Sequence, residues 1–483
     1  MPGTQSSSKE QRANSEKLPN ILVFVYDALS ARNMSLYGYE RKTTPNIDQL
    51  AERGVVFHRH HAAGNFTSPG VASLFTGVYP WSHRAFHTFG MVDKPYIQQN
   101  LFELFVDRYH TFGYSHNTFV NVLFHQLQAG IDHLIEHHTL SLESLHDVER
   151  FISNDWIIAT QVENLALWRA GFPPTSFFLS RFYQRRLQNF RGNLMKELEG
   201  VFPRGIPNSG LVSFTIEDSI NWLTDYLPRQ EAPFLGYIHL WPPHTPYATR
   251  KEFIDIFDDG WKPPAKPAHI FSEGYPDTTL NLYRRHYDEF ISYADSEFKR
   301  LFDFMQREGL LDNTIVVLTS DHGEMFERGI WAHNTPTMYQ PILNVPLIIW
   351  RPETNQRVDI YEPTSCIDLL PTLQYLSGGQ IPQWSQGRSL PGFSEEFKIS
   401  DRAIFAIEAK ENPKYAPLKK ATFVVIKGQY KLIHYIGYRE YDGHYELYDL
   451  EQDPEELNNI YSPANPIAVD LQYELDKHLS SVE

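Results

Sequence analysis

The segment Ile315-Val316-Val317-Leu318-Thr319-Ser320-Asp321-His322-Gly323-Glu324 passes from an apolar run directly to an aspartate and a histidine. An apolar run rich in β-branched residues is typical of a strand buried in a sheet. In an α/β sheet, sites form at the carboxyl ends of the strands, where Asp321 and His322 are expected to lie. A carboxylate beside an imidazole suits a divalent metal such as Zn²⁺ or Mn²⁺, whereas a solvated turn is the alternative interpretation.

A second acidic side chain follows an apolar run near the start of the chain. Residues 21–25 are continuously apolar, which predicts a strand covered on both faces of a parallel sheet. Asp27 stands at the carboxyl end of this strand. A carboxylate buried there is costly unless it is paired or bound to a metal, so Asp27 is predicted to have such a partner.

Residues 65–77 predict a short helix that begins with hydroxyl side chains. Thr67 or Ser68 could cap it, with Pro69 at its first position and Gly77 at its end. A hydroxyl at a helix N-terminus faces free backbone N–H groups and the positive end of the helix dipole. That position suits an anionic substrate and an alkoxide nucleophile, whereas the alternative is that Thr67 is a plain N-cap.

Strand and helix patterns alternate along most of the chain, which predicts an α/β fold. Helix patterns at residues 101–106, 217–227 and 280–309 alternate with strand patterns at residues 111–114 and 234–240. This order indicates a large, mostly parallel β-sheet sandwiched by helices. From about residue 378, four short strand patterns and a final helix pattern predict a smaller C-terminal α+β unit containing an antiparallel sheet. We therefore divide the chain into residues 19–377 and residues 378–483.

Composition is that of a globular protein and argues against several classes of function. Hydrophobic residues make up 42% of the 483-residue chain, and a formal net charge of −16 argues against binding to nucleic acid. Residues 1–18 are polar and predict a disordered tail without the apolar stretch of a secretion signal. No apolar run is long enough to cross a bilayer, and the single cysteine, Cys366, fits packing in a reducing compartment. These features predict a cytoplasmic location and no transmembrane segment.

Residues from about 140 to 210 are helix-like and mix aromatic side chains with arginines. This segment could cover a site and grip a large anionic substrate, or lie on a membrane surface. The alternative, which we favour, is an inserted helical pair that packs on the core or forms the contact of a homo-oligomer.

Taken in order, the motifs resemble those of the alkaline phosphatase/sulfatase superfamily over most of residues 19–461. The series is Pro19-Asn20-Ile21-Leu22 with Asp27, residues 44–57, Ser68-Pro69 with residues 74–80, residues 242–247, residues 309–314 leading into Asp321-His322-Gly323, residues 345–349 and residues 445–450. No single motif is decisive, but the ordered set is specific. The resemblance implies a metal-dependent enzyme that acts on phosphoryl or sulfuryl esters.

Departures from the sulfatase pattern favour the phosphoryl branch of this superfamily. Sulfatases carry a cysteine or serine that is oxidised to formylglycine, followed by an arginine, and the matching positions here are Thr67 and Val71. Threonine has a methyl group on Cβ, so no formylglycine is expected. Ala28 replaces the second residue of a sulfatase aspartate pair, and His322 replaces an asparagine. These changes favour Mn²⁺ or Zn²⁺ over Ca²⁺ or Mg²⁺.

The resemblance implies one metal site, with the ligands Asp27, Thr67, Asp321 and His322. Pro243 stands where many two-metal relatives have an aspartate, so a second metal site ranks below a single one.

Four further residues are predicted to contact the substrate. His244 and His333 match positions that hold the transferred group, and His244 is also a candidate to protonate the leaving oxygen. We therefore assign both histidines, with Thr67, to catalysis. Asn65 and His83 are candidate substrate contacts because they lie close to the nucleophile segment.

The leading hypothesis is a metal-dependent phosphoryl-ester hydrolase of the phosphodiesterase or phosphonate monoester hydrolase type. Thr67 would attack phosphorus and form a phosphothreonine intermediate. The alternative is a transferase that moves phosphoglycerol or phosphoethanolamine onto a glycan or an alcohol. A sulfatase and a non-catalytic anion-binding protein rank below these. The expected substrate is an anionic ester of a small molecule, lipid or glycan, and the fold alone cannot choose among these reactions.

Overall fold

A computed structural model of the chain describes residues 18–142, 174–210, 212–393 and 402–479. In these ranges the helices are α1 (Pro45–Leu50), α2 (Thr67–Thr76), α3 (Pro80–His83), α4 (Leu101–Phe105), α5 (Thr118–Gln126), α6 (Pro174–Leu198), α7 (Ile216–Tyr226), α8 (Asp277–Arg307), α9 (Gln340–Leu343), α10 (Leu369–Leu376) and α11 (Pro466–Leu479). The strands are β1 (Asn20–Asp27), β2 (Val55–Phe57), β3 (His60–His61), β4 (His110–Ser115), β5 (His133–Ile135), β6 (Phe234–Pro243), β7 (Thr314–Ser320), β8 (Phe326–Glu327), β9 (Ile330–Trp331), β10 (Leu347–Trp350), β11 (Val358–Ile360), β12 (Thr364–Ser365), β13 (Ala403–Glu408), β14 (Ala421–Lys427), β15 (Tyr430–Ile436) and β16 (His444–Asp449).

The largest sheet has eight strands in the order β11-β2-β10-β7-β1-β6-β4-β5. Its pairs are parallel except the two made by β10, which runs against β7 and β2. The predicted mostly parallel α/β sheet is therefore confirmed.

The central strand β1 shows why this sheet needs helices on both sides. Ile21, Val23 and Val25 face a core that also contains side chains of α2, α4, α5 and α10. Leu22 and Phe24 face a second core that contains side chains of α7 and α8. Because successive side chains of a strand point to opposite faces, an unbroken apolar run can be buried only between two helical layers.

The predicted C-terminal antiparallel sheet is also confirmed, with the order β13-β14-β15-β16. Phe405 and Val425 on one face belong to the core that contains α2. Ile404 and Val424 on the other face pack in a cluster with α9. Because the sheet shares cores with the rest of the protein, the division of the chain at residue 378 stays a prediction.

One local prediction is wrong. α2 begins at Thr67 itself, after Phe66 in an extended conformation, so neither Thr67 nor Ser68 is the N-cap; Gly77 ends the helix in a left-handed conformation with φ 68°. His60 and His61 are buried in β3, which pairs with β12, whereas His58 is partly exposed.

The segment at residues 140–210 is described only in part. α6 and the chain that follows it are described, whereas the predicted helical pair and oligomer contact depend on residues 143–173, which lie outside the described residues. Among the helices that the structure does describe, none is long and apolar enough to span a bilayer. The cytoplasmic location stays a prediction.

Candidate active site

Two neighbouring strands end at the same level and present acidic side chains there. β1 and β7 are parallel, and Tyr26 of β1 lies opposite Ser320 of β7. Asp27 is the last residue of β1, and Asp321 directly follows β7. The two side chains therefore lie next to each other at the carboxyl edge of the sheet. The strand register thus brings together residues that are almost 300 positions apart in the chain.

Asp27, Asp321 and His322 form a cluster that could hold a metal ion. Each offers a ligand atom within 4.8 Å of the others, and all three side chains are fully buried. The Nε2 atom of His322 lies 3.5 Å from Oδ1 of Asp27 and 3.6 Å from Oδ2 of Asp321. Within the described residues, these two carboxylate oxygens accept no hydrogen bond. Buried carboxylate oxygens without donors are costly, so the cluster fits a divalent cation.

The electrostatics of the cluster also favour a cation. Burial, and then the neighbouring charge of Asp27, raise the pKa of the Asp321 carboxyl above its ordinary value. Burial lowers the pKa of His322 to about 4, so its imidazole is neutral near pH 7 and able to act as a ligand. Two adjacent carboxylates and a neutral imidazole form a ligand set that suits Zn²⁺ or Mn²⁺.

The Thr67 hydroxyl lies beside this cluster at the first residue of α2. Its Oγ1 atom is 3.5 Å from Nε2 of His322, and it accepts a hydrogen bond of 3.1 Å from Nδ2 of Asn117. The structure therefore brings Asp27, Thr67, Asp321 and His322 together, as the motifs require. Their roles as ligands and nucleophile stay predictions.

Gly70 lets the N-terminus of α2 reach the end of β7. A Cβ atom at this position would lie 2.3 Å from the carbonyl oxygen of Asp321. Real Cβ atoms do not approach an oxygen that closely, so any other residue would displace the helix. Thr67 can therefore lie beside the cluster only because Gly70, one helical turn further along α2, has no side chain.

Asn117 is a site residue that sequence reasoning missed. Its Nδ2 group donates hydrogen bonds to Oδ2 of Asp27 and to Oγ1 of Thr67, while its Oδ1 atom caps α5 by accepting from the Phe119 N–H. Asn117 follows β4, two strands away from β1 in the sheet. A polar side chain just after a predicted strand was the available signal, but nothing in the sequence shows which strands are neighbours.

His239, in the apolar run that forms β6, is buried and hydrogen-bonded as a core histidine would be. Its partner, however, belongs to the site, because its Nε2 atom lies 3.2 Å from Oδ2 of Asp27. β6 pairs with β1, and His239 lies opposite Val25 in that register. His239 and Asn117 together restrain the same oxygen of Asp27, so both are well placed to orient a metal ligand.

A cavity of about 300 Å³ opens in front of Thr67. His244 and His333 line it, with ring centres 5.0 Å apart. Nδ1 of His244 donates to the carbonyl oxygen of Thr245 at 2.7 Å, and Nδ1 of His333 lies 2.9 Å from Oε1 of Glu324. In both imidazoles, Nε2 is the nitrogen left for a ligand in the cavity.

Glu324 sets the proton position on His333. Burial raises the pKa of Glu324 to about 8 and holds the pKa of His333 well below its ordinary value. Near pH 7 a protonated Glu324 therefore donates to Nδ1 of a neutral His333. The imidazole proton then sits on Nε2, which makes His333 a hydrogen-bond donor toward an oxygen of a bound anion.

Two predicted substrate contacts do not line the cavity. Asn65 donates from Nδ2 to the carbonyl oxygens of His333 and Thr335, at 3.3 Å and 3.0 Å, so it supports the His333 loop instead. His83 is fully buried, with Nε2 3.0 Å from the Ser73 hydroxyl and Nδ1 accepting from the Ala85 N–H. Oδ1 of Asn65 is buried without a partner among the described residues, and the assignment of both residues as substrate contacts stays a prediction.

Three residues from distant parts of the chain complete the cavity wall. Trp241 lies near the end of β6, Ser209 lies at the end of the segment at residues 140–210, and Lys410 follows β13. Part of that segment therefore does cover the site. Lys410 could not be placed from the sequence, since its position depends on how the C-terminal sheet packs.

Comparison with known proteins gives a consistent result. A family model described as Sulfatase matches residues 19–379, and one described as N-sulphoglucosamine sulphohydrolase, C-terminal, matches residues 328–483. Choline-sulfatase of Rhizobium meliloti is 24% identical over 93% of this chain and 84% of its own length. N-acetylglucosamine-6-O-sulfatase of Bacteroides thetaiotaomicron is 25% identical over 93% of this chain and 83% of its own length.

Solved structures share the fold over nearly the whole chain. A protein in complex with its substrate D-glucosamine-2-N,6-O-disulfate has a TM-score of 0.68 and 19% identity, covering 96% of this chain and 98% of its own. The phosphonate monoester hydrolase of Agrobacterium radiobacter has a TM-score of 0.64 and 19% identity, covering 96% of this chain and 95% of its own. At this level of identity, the likeness extends to the fold alone.

Proposed function

The chain belongs to the sulfatase family, and we propose that it hydrolyses phosphoryl esters with Thr67 as the nucleophile. The substrates would be phosphonate monoesters or phosphodiesters, and Asp27, Asp321 and His322 would hold Mn²⁺ or Zn²⁺. The observation that carries the proposal is the position of the Thr67 hydroxyl, 3.5 Å from His322 at the edge of a buried ligand cluster. The Thr67 side chain caps no helix, and its hydroxyl lies beside three buried side chains that could bind a metal.

The residue type at the nucleophile position supports phosphoryl over sulfuryl transfer. Threonine carries a methyl group on Cβ and cannot become formylglycine, so the hydroxyl itself must attack. When bound, the metal would supply Lewis-acid polarisation and a lower pKa for the nucleophile. Asn117 holds the Thr67 oxygen in place, and the N–H groups at the start of α2 present positive charge to an anion.

The histidines of the cavity have separate tasks in this mechanism. His333 donates from Nε2 to an oxygen of the bound ester, because Glu324 holds its other nitrogen. Nδ1–H of His244 stays on the Thr245 carbonyl, so the cationic form, protonated on both nitrogens, would donate the Nε2 proton to the departing oxygen. Water would then attack the phosphothreonine formed on Thr67 and regenerate the hydroxyl.

Hydrolysis of sulfate esters is the second candidate. It is favoured by the curated relatives, among them choline-sulfatase and N-acetylglucosamine-6-O-sulfatase. In this case Thr67 would attack sulfur without the aldehyde chemistry that the sulfatase pattern implies. The two candidates share every residue of the site and differ in the ester that is cleaved.

A substrate panel with matched threonine variants tests both candidates. Mn²⁺- or Zn²⁺-loaded protein is assayed on aryl esters of phosphate, phosphate diester, phosphonate and sulfate. We expect turnover of a phosphoryl ester that Thr67→Ala lowers by at least about 10³-fold and Thr67→Ser partly retains. Thr76→Ala, at the other end of α2, is the control and should retain activity, because its hydroxyl only bonds the Ala72 carbonyl.

The outcomes separate the hypotheses. Acid quenching followed by mass spectrometry should find an adduct on the peptide that contains Thr67. Turnover of the sulfate ester alone would select the second candidate. Wild-type activity in Thr67→Ala would refute the assignment of the nucleophile. Turnover seen only with an added alcohol would indicate a transferase.

Metal removal should destabilise the protein. Chelation leaves Asp27 and Asp321 buried side by side without a cation, so the melting temperature should fall and recover with Mn²⁺ or Zn²⁺. Asp321→Asn should lower metal affinity by at least about tenfold and abolish that recovery. Asp303→Asn, on the exposed face of α8, is the control. Metal content of Asp321→Asn equal to that of wild type would contradict the proposed site.

A further inference from the structure

The wall of the active-site cavity carries one cationic side chain and no carboxylate. Among its described lining residues, that cation is Lys410. We propose that Lys410 binds a second anionic group of the substrate, separate from the ester that Thr67 attacks. This inference rests on the proposed ester hydrolysis and adds to it the substrate class, a small ester with a further negative charge.

Lys410 has no acidic partner among the described residues. Glu411, the next residue in sequence, pairs with Lys420 at 2.7 Å. Oε2 of Glu408, two residues before Lys410, accepts from the Tyr438 hydroxyl at 2.7 Å. Oε1 of Glu408 accepts from the backbone N–H of Lys410 at 2.9 Å. The carboxylate is thus turned toward other donors, and the ammonium group of Lys410 remains available to a ligand.

The surroundings of Lys410 make an anion favourable there. Its Nζ atom lies 4.3 Å from the ring centre of Phe66, and burial lowers the pKa of Lys410 below its ordinary value. A half-buried cation against an aromatic ring has lost part of its hydration without gaining a counter-ion. A ligand carboxylate, sulfate or phosphate would restore that lost interaction as a charge-assisted hydrogen bond.

Among the described residues, Lys410 forms no hydrogen bond or ion pair with the groups placed at the reacting ester. The reacting ester would lie against Thr67 and His322, and the rings of His244 and His333 lie close to His322 at that end, with centres 6.5 Å and 4.3 Å away. Lys410 contacts the ring of Phe66, the residue before the nucleophile, and comes from the C-terminal sheet. A cavity of about 300 Å³ has room for a small organic group between the two ends. Aromatic walls from Phe66, Phe119 and Trp241 suit a ring in that space.

Matched ester pairs test the inference in the metal-loaded enzyme. The pairs are phenyl and 4-carboxyphenyl esters of whichever acid wild type hydrolyses. We expect wild type to prefer the carboxylated ester by about tenfold in kcat/KM, mainly through KM. Lys410→Met should remove the preference and leave kcat/KM for the plain phenyl ester within about threefold. Lys410→Arg should restore part of it.

A lysine control separates binding from general electrostatics. Lys419→Met makes the same change in net charge at an exposed position of the same segment, and it should keep the preference. An equal loss on both esters in Lys410→Met would place Lys410 on the reacting group and overturn the inference. A wild type without any preference would also overturn it.

A binding measurement keeps this test independent of turnover. Calorimetry compares phenylphosphonate with 4-carboxyphenylphosphonate on Thr67→Ala protein, with and without Lys410→Met. A preference of about tenfold for the carboxylated ligand, lost in Lys410→Met, supports the inference even if wild type hydrolyses no ester. Equal affinities of Thr67→Ala for the two ligands overturn it, whatever the assays of turnover show.

Discussion

At the scale of single residues, Asn117 joins the nucleophile to a candidate metal ligand through one amide group. Asn117→Ser keeps an oxygen that can cap α5 but loses the N–H donors to Asp27 and Thr67. We expect kcat/KM for the turned-over ester to fall by about 10- to 100-fold. Steady-state kinetics with saturating metal measures this.

Asn100 is the matched control for that substitution. It caps α4 through Oδ1 and donates from Nδ2 to backbone carbonyls, as a structural asparagine away from the cavity. Asn100→Ser should cost stability and leave kcat/KM unchanged. Equal kinetic losses in both variants would show that Asn117 acts only through folding.

At the scale of elements, the approach of α2 to the end of β7 sets the geometry of the nucleophile. Gly70→Ala would place Cβ against the carbonyl oxygen of Asp321, so α2 must move and carry Thr67 away from His322. We expect at least about a tenfold loss of kcat, since small misplacements of reacting groups are costly. Gly192→Ala, in α6 with open space around it, should retain full activity and stability. Unchanged kinetics in Gly70→Ala would contradict this account.

The buried pair of strands β3 and β12 makes stability depend on pH. Burial lowers the pKa of His60 and of His61 to about 3, below the ordinary value of 6.5. Both pKa values are lower in the folded state than in the unfolded state. As pH falls below 6.5, the unfolded chain therefore binds protons on these histidines before the folded protein does. The free energy of unfolding therefore decreases as pH falls from about 6.5 toward 3. The contribution of the two neutral histidines to stability is complete above pH 6.5.

Substitution of one of these histidines should reduce the dependence of the free energy of unfolding on pH. In urea unfolding between pH 6.5 and 4.5, His61→Gln should reduce the slope by up to about 1.4 kcal/mol per pH unit. His444→Gln, on the exposed end of β16, should leave the slope as in wild type. A wild-type slope in His61→Gln would mean that other groups dominate the acid response.

At the scale of the whole molecule, a buried ion pair ties the C-terminal sheet to the rest of the protein. Lys431 of β15 and Glu456 are both buried, with Nζ and Oε1 2.6 Å apart. The other oxygen of Glu456 accepts from the Gln340 N–H at the start of α9. Lys410 follows β13 of the C-terminal sheet and lines the cavity. Its position there therefore depends on the same packing of the C-terminal sheet against the rest of the protein.

Loss of this lysine should therefore be severe. Lys431→Met leaves a buried carboxylate without its counter-ion, and we expect a loss of about 3–5 kcal/mol in the free energy of unfolding. Lys299→Met, which removes an α8 surface pair with Asp303, should cost no more than about 1 kcal/mol. Urea unfolding measures both. A loss in Lys431→Met as small as in the control would refute the importance of the pair.

The sequence by itself determined the α/β class, the strands β1, β6 and β7, the C-terminal antiparallel sheet and four residues of the candidate site. These were predictable because burial on both faces leaves unbroken apolar runs, and because Asp27, Asp321 and His322 directly follow such runs. Both signals are local to a few residues of chain.

Only the tertiary structure decided which distant side chains join those residues. Asn117 and His239 lie on strands whose neighbours are set by sheet order, and Lys410 comes from a sheet that docks through shared cores. His83 is adjacent in sequence to the nucleophile segment but is engaged elsewhere. Contacts between residues hundreds of positions apart depend on how elements pack, and packing is a property of the whole fold that local sequence patterns do not record.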